Sequence, residues 1–249
     1  MVLEEFKLDG KVAILTGCGQ SWPRYLGLSL AEAGATVVIA GSDHKAIGSA
    51  IEEIRKQGRQ AKAIPIDLTS AREIQGVIDQ TISEFGKIDI LVNNLNLEFG
   101  KPFLEMTEGE WKRVIDANLT AVFLYSKAAG KHMVEQGAGK IVNIVTGGAE
   151  RGLPNSTAYC ASMGGVVQLT RALALEWARK NVRVNAVGIG WMENSFGGTP
   201  DDSVARYIPM RRRGRPEDIA PLVVFLASKA SSFLNGQIYF VDGGLMARS

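Results

Sequence analysis

Val12-Ala13-Ile14-Leu15-Thr16-Gly17-Cys18-Gly19-Gln20-Ser21-Trp22-Pro23-Arg24 is the stretch from which the fold is read. A short apolar, partly β-branched run enters a glycine-bearing turn, and Arg24 to Ala33 follows with apolar residues at helical spacing until Gly34. The same unit recurs down the chain. Strands are expected at Thr36-Val37-Val38-Ile39-Ala40, Ala61 to Ile66, Ile88 to Val92, Lys140 to Val145, Val182 to Val187 and Gln237 to Val241. Helices are expected at Lys45 to Lys56, Ser70 to Phe85, Thr107 to Met133, Ala158 to Lys180 and Glu217 to Ala227. Strands that are apolar on both faces and separated by helices imply a parallel sheet covered on both sides. The reading is α/β: a single doubly wound domain over residues 1–249, with about seven parallel strands. One irregular stretch, 188–215, is a long loop on the expected substrate side.

Composition agrees and excludes much else. The chain has 249 residues, 46% apolar and 22% charged, with 28 Lys+Arg against 26 Asp+Glu. That is a globular balance with a sizeable core, and it excludes disorder, collagen and coiled coil for the whole chain. A net charge of +2 gives no general attraction to nucleic acid or to an anionic membrane. Two cysteines and two histidines supply neither a disulfide scaffold nor a metal site. The acidic start lacks a signal peptide's apolar run, and no segment approaches the ~20 apolar residues of a membrane span, so a cytoplasmic location is expected. Glycine occurs 28 times, about 11% against a usual ~7%. Such an excess fits tight strand-to-helix turns or a site where backbone approaches a ligand closely.

In a doubly wound sheet, ligands lie beyond the carboxyl ends of the strands, and the turn 16–24 is where a dinucleotide pyrophosphate would meet a helix N-terminus. Further landmarks follow in order: Asp67-Leu68, Asn93-Asn94, Asn118, Tyr159, Gly214-Arg215-Pro216-Glu217-Asp218 and Val241-Asp242-Gly243-Gly244. With Thr16-Gly17 these resemble the short-chain dehydrogenase/reductase family over nearly the whole chain. The resemblance implies a Rossmann-type fold and NAD(P)-linked chemistry on a small-molecule carbonyl or alcohol. It also implies a homo-oligomer, a dimer or tetramer, with a hetero-oligomer with an active relative as a further option.

The resemblance assigns cofactor contacts to Gly17, Gly19, Ser21, Ser42, Asp67, Asn94, Met163 and Gly190. Several of these depart from the family pattern. Ser21 and Pro23 stand where Thr-Gly-x-x-x-Gly-x-Gly has its second and third glycines; Ser21 can cap the helix and Pro23 suits its first turn. An acidic residue at Gly41 would favour NAD and a basic one at Ser42 or Gln20 would favour NADP, and neither is present. NAD and NADP both stay open. Asp43 is read as a helix N-cap, with a ribose contact as the alternative.

The family's catalytic residues fall on Asn118, Thr146 and Tyr159, spaced 41 and 13 residues before the tyrosine, with threonine in place of serine. The family's lysine, four residues after the tyrosine, is Met163. Methionine supplies no cation to favour tyrosinate and no ribose hydrogen bond. Asn-Asn-Ala-Gly appears as Asn93-Asn94-Leu95-Asn96, and Pro-Gly after the sixth strand appears as Ile189-Gly190. Two functions therefore stand side by side: an NAD(P)-linked carbonyl reductase with Tyr159 as proton donor, and a non-catalytic ligand-binding or assembly relative. Arg211-Arg212-Arg213 with Arg215 is read as a solvated loop or subunit contact, with a phosphate site as the alternative. Cys160 is read as a small buried helix residue, and Trp191, Met192 and Phe196 either line a pocket or pack the loop.

Overall fold

The computed structural model describes residues 1–17, 22–193 and 202–247. Its elements alternate as the apolar pattern requires. In chain order they are β1 (Val12–Gly17), α1 (Trp22–Glu32), β2 (Thr36–Gly41), α2 (His44–Lys56), β3 (Ala61–Pro65), α3 (Ala71–Phe85), β4 (Ile90–Asn94), α4 (Glu108–Ile115), α5 (Ala121–Gln136), β5 (Gly139–Thr146), α6 (Thr157–Trp177), β6 (Val182–Ile189), α7 (Asp202–Tyr207), α8 (Pro216–Ala227) and β7 (Ile238–Val241). All seven strands are parallel, in the order β3-β2-β1-β4-β5-β6-β7. The strand order reverses between β1 and β4, which is where a doubly wound sheet opens a crevice at its carboxyl edge.

Strand alternation sorts the core into two layers. Ile14 and Leu91 face α3, α5 and α6, packing with Ile74, Tyr125 and Val166. Ala13, Leu15 and Ile39 face the other way, against Leu26 of α1, Ile51 of α2 and Val223 of α8. The period of two thus buries each strand twice, and hence the strands read as unbroken apolar runs. Local chemistry ends the helices: Asp43 accepts from Ala46 N–H at 2.9 Å, so its N-cap role is the one realised. Thr107 and Glu110 form a capping box on α4, and Gly86 closes α3 in the left-handed conformation.

The helical region expected over Thr107 to Met133 is present, as α4, a π-helical turn Asp116–Thr120 and α5 in unbroken helical backbone. One sequence expectation needs correction. The stretch 188–215 is not a continuous loop. β6 extends to Ile189, α7 forms within the stretch, and Met192 bridges Gly214 through Glu193 N–H to Gly214 O (2.8 Å) and Gly214 N–H to Trp191 O (2.9 Å).

Candidate active site

The carboxyl ends of the central strands converge on one edge. Gly17 and Gly41 are paired in register at the ends of β1 and β2. A Cβ on Gly41 would lie 2.5 Å from Gly17 O, so the two backbones touch and only hydrogen fits between them. Gly41→Asp is therefore expected to lower stability by about 1–3 kcal/mol in urea titrations, rather than to supply a ribose-binding carboxylate at no cost. Ser42 is exposed just beyond. Asp67 forms the turn after β3, where its carboxylate accepts from Thr69 N–H (2.9 Å) and Thr69 Oγ1 (2.7 Å). Those bonds, the backbone one first, hold its pKa below the usual aspartate value. Asn94 N–H donates to Thr16 Oγ1 (3.1 Å), tying β4 to β1 at the strand-order reversal. Gly19 and Ser21 lie outside the described residues, with Cys18 and Gln20; α1 starts at Trp22, so Pro23 falls in its first turn.

Tyr159 sits near the start of α6 and is 6% exposed. Its hydroxyl donates to Asn96 Oδ1 at 2.8 Å. Burial pushes the phenol well above the ordinary tyrosine value, and the charge of Glu98 adds to this. The nearby Thr146 hydroxyl and the Asn96 bond oppose the shift without cancelling it. Tyr159 is thus a neutral donor at physiological pH. Thr146, at the end of β5, has its Oγ1 buried with no hydrogen-bond partner of good geometry. A buried hydroxyl left unmatched costs about 1–3 kcal/mol unless something supplies its partner.

Asn118 occupies the π-turn and is fully buried. It accepts from Leu97 N–H (2.6 Å) and donates to Leu97 O (3.1 Å) and Ser162 Oγ (3.1 Å). It therefore clamps the segment that carries Asn96 and makes no hydrogen bond to Tyr159. Met163, one turn beyond Tyr159, is 1% exposed and packs in the core. At the end of β6, a Cβ on Gly190 would meet Asp242 Cα at 2.7 Å, so glycine lets the chain after β7 close against it. The structure thus brings Tyr159 and Thr146 together and places Asn118 behind them. It also adds Asn96, which sequence reasoning treated only as bulk in a glycine position. That departure was the one signal available.

Other candidates find structural partners. Arg212 binds Asp218 through two hydrogen bonds (2.6 and 2.9 Å), Arg215 binds Glu193 (2.9 Å), and Arg211 donates to Arg206 O (2.6 Å). Cys160 is half-buried rather than buried, with Sγ directed at Arg151 O. Met192 packs in the core, Trp191 is half-buried, and Phe196 lies outside the described residues. Among the described residues there is no cluster of potential metal ligands, and no helix is long and apolar enough to cross a membrane.

A family model described as enoyl-(acyl carrier protein) reductase matches residues 24–246. The chain is 38% identical to the 2-dehydro-3-deoxy-D-gluconate 5-dehydrogenase of Escherichia coli (strain K12), an alignment covering 100% of both chains. It is 37% identical to the 5-keto-D-gluconate 5-reductase of the same strain, covering 97% of each. Its fold matches a gluconate 5-dehydrogenase from Burkholderia cenocepacia J2315, crystallised in complex with NADP and tartrate, with a TM-score of 0.93, 32% identity and 100% of both chains covered. With this fold, this carboxyl-edge site and these relatives, the chain belongs to the short-chain dehydrogenase/reductase family of oxidoreductases.

Proposed function

We propose that the chain is an NAD(P)-linked reductase of a carbonyl compound, its substrate a keto group on a hydroxylated carboxylic acid. The observation that carries the reading is the pairing of a buried neutral phenol, Tyr159, with the unmatched buried hydroxyl of Thr146 at the carboxyl edge. Two neighbouring hydroxyls can both donate to one oxygen, and a substrate carbonyl that takes the place of Asn96 at Tyr159 is such an acceptor. The relatives that act on keto-gluconates, and the one crystallised with NADP, support the substrate and cofactor class.

The described residues fit a dinucleotide. Gly17 and Gly41 end β1 and β2 without side chains, Asp67 presents a carboxylate after β3, and Gly190 follows β6. Those residues, with Asn94 at β4 and the turn holding Gly19 and Ser21, would hold it. When bound, such a nucleotide supplies or accepts a hydride. Thr146 donates a hydrogen bond to the substrate oxygen and fixes its position. Tyr159 gives its proton to that oxygen as negative charge develops there, a downhill transfer because an alkoxide is a stronger base than a phenolate. Asn96 accepts from the phenol and holds it in place between turnovers. Asn118 keeps the Leu97 segment, and with it Asn96, at the right depth.

Fluorescence titration with NADPH and NADH, followed by turnover of 5-keto-D-gluconate, tests the proposal. Micromolar binding of at least one nucleotide with turnover is expected; no binding of either at millimolar concentration overturns it. Thr146→Val is a sharper probe. It removes a hydroxyl that has no internal hydrogen bond of good geometry, so thermal stability should hold within about 1 kcal/mol, whereas reduction should fall about 10²-fold. One observation favours a non-catalytic relative instead, namely Met163 in place of a cation. Tight nucleotide binding with no turnover of any keto acid would select that reading.

A further inference from the structure

We propose that the opposite end of the sheet, at the N-terminal ends of β5 and β6, binds a phosphate-sized dianion between Lys140 and Arg183. These two residues are direct partners in the parallel register of β5 and β6, so they share a sheet face on strands about 4.8 Å apart. Like charges set directly opposite are destabilising, and a fold tolerates them where something of the other sign lies between.

No described carboxylate sits between the two. Among the described residues, no carboxylate lies within ion-pair distance of either cation. Lys140 Nζ has one hydrogen bond, to Ser231 Oγ at 3.0 Å. Arg183 spends its Nε on Ser232 O (2.8 Å) and its Nη1 on Ala178 O (3.2 Å), which leaves Nη2 without a bond. Asp89 is adjacent through its backbone, but its carboxylate already holds Lys11 (2.9 Å), Lys87 (3.2 Å) and Val12 N–H (2.9 Å). The C-terminus of α8 faces the same region and contributes about half a negative charge, less than two cations require.

There is also room. A cavity of about 660 Å³ opens here, and its charged lining residues without an ion pair are Lys140, Arg183 and Lys229 against Glu5 and Asp9. Burial and the Arg183 charge pull the Lys140 ammonium down to about 8, so the cation is destabilised as the cavity stands. A bound dianion reverses that by facing both charges at once. Lys140 is six residues below Thr146 on β5, about 20 Å along the strand, so this position is separate from the catalytic edge.

The test is thermal unfolding of the intact chain in sodium phosphate, at ionic strength held constant with sodium chloride. At ten times its dissociation constant, phosphate should raise Tm by about 3–6 °C, sulfate should act similarly, and acetate less. Lys140→Met should lose this rise and be more stable than the parent in chloride alone. Equal rises in both proteins would reflect salting effects or anions at the catalytic edge, and would overturn the proposal. So would no rise above chloride. A second measurement does not depend on the variant folding: competitive acetylation with acetic anhydride on the unmodified chain. Phosphate should slow labelling of Lys140 relative to exposed Lys45, and an unchanged ratio counts against the site.

Discussion

Tyr159→Phe is expected to reduce carbonyl turnover by about 10²–10⁴-fold while leaving nucleotide binding within a few-fold of the parent. The substitution removes a single oxygen from a ring that packs in the core, so no cavity opens. Its partner Asn96 is half-buried and recovers a hydrogen bond from water, which keeps the stability change near about 1 kcal/mol. Loss of rate with intact binding would place the phenol in the chemical step. Parent-like turnover would sink Tyr159 as the proton donor. The same residue sets a pH signature. Because burial raises its pKa, the protonated form that serves reduction persists through neutral and alkaline pH, and the reduction rate should be flat from about pH 6 to 9. Oxidation of the corresponding alcohol needs the phenolate, a small fraction that grows tenfold per pH unit. Its rate should climb about tenfold per unit over the same range without levelling, as initial rates in both directions would show.

Met163→Lys should raise the rate of oxidation strongly and leave reduction nearly unchanged. A lysine one helical turn from Tyr159 places a cation beside the phenol and lowers its pKa by about 1–2 units. Oxidation at pH 8 should then rise about 10- to 100-fold, with reduction changed little. The position is 1% exposed, so an ammonium there without a partner should destabilise the free protein by several kcal/mol, roughly 3 or more. Nucleotide that satisfies the new cation would recover part of this through linkage, visible as a larger Tm rise on adding cofactor than the parent shows. An unchanged oxidation profile in a folded variant would mean that the charge does not reach the phenol. Tyr159 would then be governed by Asn96 and desolvation alone.

The site was legible in unequal parts. Tyr159, Thr146 and Asn118 could be picked out because resemblance and spacing mark them, and the structure sets the first two side by side at the carboxyl edge. Asn118 acts at one remove, holding Leu97, a relation no spacing rule expresses. Asn96 could be seen as an unusual residue but not as the acceptor of the tyrosine proton, since 63 residues separate the two. The arginine run was read as a solvated loop or subunit contact, and Arg211, Arg212 and Arg215 engage a backbone carbonyl, Asp218 and Glu193. The Lys140–Arg183 pair carried no signal at all, because only the register of β5 on β6 makes neighbours of them.

Local sequence by itself determined the alternation of strands and helices, the parallel sheet and the helix caps. Each depends on residues within a turn or two: β-branched runs buried on both faces, Asp43 and Thr107 at helix starts, Gly86 at a helix end. It also fixed the absence of a lysine beside Tyr159. Tertiary structure alone decided which polar groups meet and which are left unmatched. The neutral state of Tyr159, the orphan hydroxyl of Thr146 and the contact that reserves position 41 for glycine all come from backbones brought together across the sheet. Desolvation and long-range packing have no signature in the spacing of residues along a chain, because they depend on what the fold places around each group.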